Sequence, residues 1–568
     1  MTDGVDDTGL LASVLRLRAE VDAAQLPLDL PDTGPARTVR SALLAQLDDY
    51  VVPRLTSLDA PLLAVVGGST GAGKSTLVNS VVGSVVSRSG VLRPTTRSPV
   101  LVHHPDDASW FAGDRVLPGL ARLTGRADVA DDQSSLRLTA SRSLAPGLAM
   151  LDAPDIDSVV QANRQLAKQL LAAADLWVFV TTAARYADAV PWDLLREAST
   201  RGSSVAVVLD RVPPEAMGDI SAHLTQMLRE EGLGEAPLFT VPESPLREDG
   251  RLPDAAVAPL RSWLSSLARD AKARAVVVRR TLTGALDSLR GRVAVLEASS
   301  DDQVAAASAL RTEAAAAYAQ ALADVEHGIT DGTLLRGEVL ARWQEFVGTG
   351  EFLRSVEVGI SRLRDRITAA IKGTPPPADN LGEALQTGVA ALLTAQGQGA
   401  AAAASRAWRQ LAGGPPLLQA HPELAKSSPA LVADVDRLVR EWQGEVLTLV
   451  REEGKDRRTT ARVLAFGVNG IGAVLMLVAF SQTGGLVGAE IGVAGGAALL
   501  AQRLLEAVFG DQAVRDLAAK ARKRLLSRAS ELYAAEQGRF EDLVDALEIR
   551  SGQSARLHAA ATAVERSR

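Results

Sequence analysis

The sequence predicts an α/β nucleotide-binding domain on a mostly parallel sheet, followed by a long α-helical bundle or stalk with an apolar hairpin. Three observations predict it. The first is the octapeptide Gly68-Ser69-Thr70-Gly71-Ala72-Gly73-Lys74-Ser75, directly behind the apolar run Leu62–Val66. The second is an alternation of strand and helix patterns that lasts to about Pro253, which argues for a sheet covered on both faces. The third is a change to helical periodicity from about Pro259, broken by an 18-residue apolar run from Val463 to Phe480.

Composition bounds the answer. A chain of 568 residues exceeds one core and predicts two or more domains. With 47% hydrophobic and 23% charged residues the balance is globular, and only 4% aromatics favours long helices over sheets beyond the first domain. The chain has no cysteine, which excludes disulfides and thiolate metal sites and suits a reducing cytosol. Six histidines are scattered, and the adjacent pair His103 and His104 points to opposite faces of a predicted strand, so they suggest no metal site. A net charge of −7 argues against a nucleic-acid binder held by bulk electrostatics. Met1 to about Leu30 is polar and amphipathic and does not read as a signal peptide.

The elements follow in order. Residues 1–57 read as N-terminal helices broken at Pro27, Pro31 and Pro35. Residues 58–255 form the nucleotide-binding domain. Its predicted strands are Leu62–Gly67, Val100–His103, Leu136–Leu138, Leu148–Asp152, Leu176–Thr181, Val205–Asp210 and Leu238–Val241. Helical runs such as Val160–Ala174 and Asp188–Thr200 lie between them. Leu282, Leu286, Leu289, Val293 and Leu296 repeat at helical spacing and open a bundle over 256–375. Stalk helices fill 376–462, punctuated by Gly413-Gly414-Pro415-Pro416. A C-terminal stalk helix covers 510–568. Its stretch from Ala513 to Ala560 spans about 70 Å if continuous.

The segment 463–509 is the membrane-type hairpin. Asn469 is the only polar side chain in its first arm, Ser481–Gly485 is a turn, and Leu486–Ala501 is apolar apart from Glu490. An 18-residue helix spans about 27 Å, close to a bilayer core. Lys455, Arg457, Arg458 and Arg462 flank it before, and Arg515, Lys520, Arg522, Lys523 and Arg524 after, which favours both ends on the cytoplasmic side. The alternative is a helix pair buried in the bundle core, which Glu490 supports because a carboxylate in lipid is costly.

The octapeptide carries the chemistry. G-x-x-x-x-G-K-S between a strand and a helix is the phosphate-binding loop of nucleoside triphosphatases. Backbone N–H groups of Gly68, Ser69, Thr70, Gly71, Ala72 and Gly73, with Lys74, Ser75 and Thr76 opening the helix, cradle phosphate oxygens. Lys74 is expected to reach the β- and γ-phosphates, and Ser75 to bind Mg²⁺. Asp152, at the end of an apolar strand, suits a water-mediated magnesium role. The loop Arg93–Pro99 offers Thr96, with Thr95 as neighbour, to the metal; the alternative is a plain Pro/Ser turn.

These motifs, in this order and spacing, resemble Ras-like GTP-binding domains over about Leu62 to Val241. With the helical remainder and the hairpin, the chain resembles the bacterial dynamin-like GTPases, of actinobacterial type. That resemblance implies GTP and Mg²⁺ as ligands, dimerisation with a second copy or a paired homologue, contact with membrane lipid, and a place at the inner face of the cell membrane. Three departures stand out. Asp155 occupies the position of a glycine whose amide meets the γ-phosphate. The guanine-reading Asn/Thr-Lys-x-Asp becomes Asp210-Arg211-Val212-Pro213, in which Arg211 can replace the lysine stem, Pro213 cannot bond the guanine N–H groups, and Asp210 can supply that carboxylate after a small shift; the equal alternative is a loss of base selectivity. Ile156 stands where a water-orienting glutamine is expected, and Thr70 replaces the glutamine of eukaryotic dynamins, which leaves Arg97 and Arg185 as candidate charge stabilisers. Two rival readings remain at this level: an Era-like switch GTPase acting on RNA, and a scaffold that holds nucleotide with little turnover.

Overall fold

The computed structural model describes residues 7–87, 98–113, 115–117, 119–124, 135–156, 161–200, 203–331, 334, 338–347, 377–453, 468–481, 501–503, 505–506 and 508–568. Thr95, Thr96, Arg97 and Leu486–Leu500 lie outside them. The chain divides into two compact units: 1–26, 32–301 and 551–568 form one, and 27–31 with 302–550 the other.

The first unit is organised by an eight-stranded sheet: β1 (Leu62–Gly68), β2 (Val100–His103), β3 (Ala121–Thr124), β4 (Ser135–Ala140), β5 (Leu148–Asp152), β6 (Leu176–Thr182), β7 (Ser204–Val212) and β8 (Leu238–Pro242). Their order is β3-β4-β2-β5-β1-β6-β7-β8. β2 runs antiparallel to β5, and the other neighbours pair in parallel. β1, β5 and β6 are buried along their whole length, as expected for strands covered on both faces. Side chains alternate: Leu63 and Val65 enter one core layer, and Leu62, Ala64 and Val66 the other. The sequence reading omits β3. Its Ala-Arg-Leu-Thr is short and half polar because it lies at the sheet edge.

Before the sheet come α1 (Asp7–Ala23), α2 (Thr33–Gln46), a π-helical turn (Leu47–Val51) and α3 (Val52–Thr56). Pro35 does not break a helix, contrary to expectation. It sits in the first turn of α2, where a missing N–H costs little. Within the sheet domain lie α4 (Lys74–Val82), α5 (Ala108–Phe111), α6 (Gln161–Ala172), α7 (Ala189–Thr200), α8 (Met217–Glu230) and α9 (Asp254–Arg269). A buried ion pair ties the N-terminal helices to the sheet. Arg54 of α3 donates from Nε to Asp175 Oδ1 at 2.8 Å and from Nη2 to Oδ2, while Asp175 also accepts the Leu63 N–H at 2.7 Å.

α10 (Ala271–Thr330) contributes its first part to this unit, where Leu282, Leu286, Leu289, Val293 and Leu296 pack with Val14, Leu17 and Val21 of α1. The same cluster holds Leu557, Ala560 and Val564. Ser13 and Ser567 hydroxyls stand 2.9 Å apart across 554 residues of sequence.

The second unit is helical: the remainder of α10, then α11 (Glu338–Val347), α12 (Pro377–Gln410), α13 (Gly414–Ala420), α14 (Leu431–Glu453), α15 (Val468–Ser481) and α16 (Asp511–Asp545). The C-terminal stalk is not one continuous helix. Glu548 (φ 51°) and Gly552 (φ 83°) turn the chain, and α17 (Gln553–Arg566) belongs to the first unit.

The apolar run also differs from a membrane arm in its described part. α15 holds 14 residues, and Gly470 through Phe480 are buried in the core of the helical unit. Trp442 of α14 lies over Phe480, with ring centroids 5.7 Å apart, and donates its indole N–H to Ala521 O at 2.8 Å. Arg522 donates from Nε and Nη2 to Ala479 O, at 3.1 and 2.8 Å, satisfying a carbonyl of the last turn of α15. An apolar surface needs only exclusion from water, and protein supplies that here as well as lipid would. Among the described residues no helix is long and apolar enough to cross a membrane.

Candidate nucleotide site

The site lies where β1 ends. Gly68 pairs with Val180 of β6 so closely that a Cβ there would meet Val180 O at 2.1 Å. Gly73 caps α4 at φ +92°, and a Cβ on it would come within 2.5 Å of Asp210 Oδ2. Both positions therefore require glycine. Between them the loop turns from strand to helix, and α4 begins at Lys74, which places its amides and partial positive charge at the loop.

Lys74 is nearly buried, at 6% exposure. Its ammonium donates to Gly68 O and Ser69 O at 3.0 Å each and to Asp155 Oδ1 at 2.5 Å. Thr76 follows in the first turn of α4, where its carbonyl accepts the Ser80 hydroxyl at 2.6 Å.

Ser75 and Asp152 come together across the sheet. Ser75 Oγ donates to Asp152 Oδ2 at 2.6 Å, and Ser87 Oγ donates to the same oxygen at 2.5 Å. Asp152 is fully buried, and its Oδ1 has no partner among the described residues. Burial pushes its carboxyl above the usual range, opposed by the two hydroxyls and Lys74. Adjacent hard oxygens, one unpartnered and one hydroxyl, fit Mg²⁺, which takes one or two protein ligands and completes its shell with phosphates and water. Among the described residues no cluster of three or more His, Cys, Asp or Glu suits a metal.

Ser87 escaped the sequence reading. Asn79, 1% exposed on α4, fixes it: Asn79 Nδ2 donates to Ser87 O at 2.8 Å, and Oδ1 accepts the Val86 and Ser87 N–H groups at 2.9 Å each. The available signal was Asn79, a polar residue flanked on α4 by Leu77, Val78, Val81 and Val82.

The far side of the loop is held by two guanidiniums. β7 shifts register between Leu209 and Val212, and Arg211 takes φ +55°. That irregularity re-aims Arg211 onto Gly71 O. Arg185 donates to Thr70 O at 3.0 Å and to Asp188 at 2.8 Å. Asp210 is 5% exposed, accepts the Arg211 N–H at 2.9 Å, and is pushed above the usual carboxylate range by burial. Its other oxygen faces Gly73, so it lies under the loop. Ile156 is buried and places no polar group at the site.

Thus Gly68 to Thr76, Asp152, Asp155, Asp210, Arg211 and Arg185 gather at one end of the sheet, while Thr96 and Arg97 lie outside the described residues. Residues 63–212 match the sequence model described as the dynamin family. Two solved structures of an oligomerised bacterial dynamin pair, described as sensing and tethering membranes, align over most of the chain. One is 10% identical (95% of this chain, 96% of that one) and the other 11% (96% and 97%), each with TM-score 0.45. Toc33 from Arabidopsis thaliana, in complex with Mg²⁺ and GMPPNP, aligns at 15% identity, covering 41% of this chain and 92% of that one, with TM-score 0.25. No curated protein matches the chain.

Proposed function

We propose, for a chain whose residues 63–212 match the dynamin family model, that it is a P-loop GTPase of that family, that this site binds GTP with Mg²⁺ and that hydrolysis is coupled to binding or remodelling a membrane. One observation carries the nucleotide reading: Lys74 and Ser75 at the start of α4 and Asp152 at the end of β5 gather at the loop, where Ser75 bonds Asp152 Oδ2 at 2.6 Å and the other carboxylate oxygen has no partner among the described residues. Lys74 grips the phosphates as an ammonium, and the loop amides with the α4 N-terminus complement their charge. Ser75 and Asp152 would hold Mg²⁺, which neutralises charge developing on the phosphoryl oxygens. Arg185 and Arg211 hold the loop carbonyls outward, leaving its N–H groups for the anion. Thr96 remains the proposed threonine of the switch loop.

Guanine preference rests on Asp210 and Arg211. Pro213 brings no hydrogen-bond donor to the base, so selectivity over adenine is expected to be modest. Ile156 and Thr70 stand in place of water-orienting glutamines, so intrinsic turnover is expected to be slow, or to rise when a second copy or a paired homologue completes the site. Single-turnover hydrolysis of GTP and ATP by purified protein tests this. Turnover of GTP alone or in preference supports it; bound nucleotide with none hydrolysed favours a nucleotide-holding scaffold, the reading that Asp155 on Lys74 supports.

Membrane contact rests on the apolar run 463–501 and its basic flanks. Since α15 is core, the second arm, Leu486–Ala501, is the part to test, on the inner face of the cell membrane. Full-length protein should float with anionic liposomes, and Leu486→Asp with Val487→Asp should reduce that. Equal flotation of both would end the assignment.

A further inference from the structure

The position that departs most from the phosphate-loop pattern is also the one that touches its lysine. Asp155 Oδ1 lies 2.5 Å from Lys74 Nζ, and the two side chains are 37% and 5% exposed. The strap that carries Asp155 is pinned on both sides to β1: Ala153 N donates to Val66 O at 3.2 Å, and Ile156 N to Gly68 O at 3.5 Å. The carboxylate therefore stands on the open side of the ammonium, while Gly68 O and Ser69 O take its inner side.

We propose that Asp155 is an internal stand-in for a phosphate oxygen, and that it sets how the site discriminates nucleoside triphosphates from diphosphates. The proposal rests on the GTP-site reading above. A carboxylate on an ammonium is a charge-assisted contact of the kind a phosphate oxygen makes. A diphosphate brings its terminal phosphate to Lys74 from the loop side and can leave Asp155 near its present place. A triphosphate brings one more anionic group to the position in front of Lys74, where the carboxylate now lies. Two anions there repel, so the carboxylate must swing out before the γ-phosphate settles. A glycine at this position would impose no such exchange.

The test uses the full chain with Mg²⁺ and measures affinities for GDP and for a non-hydrolysable GTP analogue by titration calorimetry. Wild type, Asp155→Gly, Asp155→Asn and Lys74→Ala are compared. Asp155→Asn keeps the size and the acceptor but removes the charge, and it covers the case in which the glycine variant folds poorly. The expected result is a gain of about tenfold or more in analogue affinity for both Asp155 variants, with GDP affinity changed by less than about threefold. An unchanged ratio of analogue to GDP affinity, whether both rise or neither does, overturns the proposal. Failure of wild type to bind either nucleotide, or undiminished binding by Lys74→Ala, instead overturns the site reading on which it rests.

Discussion

Two glycine-bearing stretches of the chain, the loop 68–73 and the buried helix α15, use the same residue for opposite ends. In the loop, Gly73 supplies a left-handed turn and clears Asp210, so that polar groups converge on a space kept for an anion. In α15, Gly472 removes a side chain that would meet Leu447 Cδ2 at 2.5 Å, so that two apolar surfaces close on each other. The first region is specified by direction: each donor has one geometry that works. The second is specified by exclusion of water alone, and any apolar partner satisfies it. Spaced polar residues therefore announce their task in sequence, and an apolar run does not.

The comparison can be broken most forcefully in the helical core. Trp442→Ala removes a fully buried ring and the N–H that caps Ala521 O. We expect a loss of about 3–5 kcal/mol by denaturant unfolding of the helical unit. A loss under about 1 kcal/mol would mean that α15 is not held by protein. In the loop, Lys74→Ala should weaken nucleotide binding by about 100-fold or more, because a nearly buried charge partner is lost. Affinity within about threefold of wild type would break the other half of the comparison.

A third test concerns charge burial in the first unit. Burial raises the Asp49 carboxyl from 3.8 to about 6, against the opposing Gln169 hydrogen bond. A carboxyl that ionises less readily when folded makes stability fall as pH rises through this range, and the loss persists above it. Asp49→Asn does not titrate. It should match wild type near pH 4 and exceed it at pH 7 by about 2 kcal/mol. A constant difference across that range would place the buried charge elsewhere. The smallest effect belongs to the cap on α15. Arg522→Ala leaves Ala479 O without its two donors and should cost about 1 kcal/mol, read as a lower unfolding midpoint.

Legibility followed the same division. β1, the loop, α4 and the Asp152 strand were readable because their spacing encodes geometry. β3 was missed because an edge strand needs no apolar alternation. The turn at 546–552 was missed although Ser551-Gly552 is a turn dipeptide; there Glu548 and Gly552 take positive φ. Ser87 was missed because its role depends on Asn79 folding a loop back over eight residues, which no local pattern records. The inward aim of Asp155 was visible only as a substitution; its contact with Lys74 required the strap pinned to Val66 and Gly68.

The helical cluster around α1 has a consequence for biosynthesis. Val14 and Leu17 leave the ribosome long before α17, which shares their cluster. The Ser13–Ser567 contact spans 554 residues, so at ordinary translation rates the nascent α1 waits about half a minute to two minutes for that cover. Over that interval its apolar stripe is a natural client for a holding chaperone.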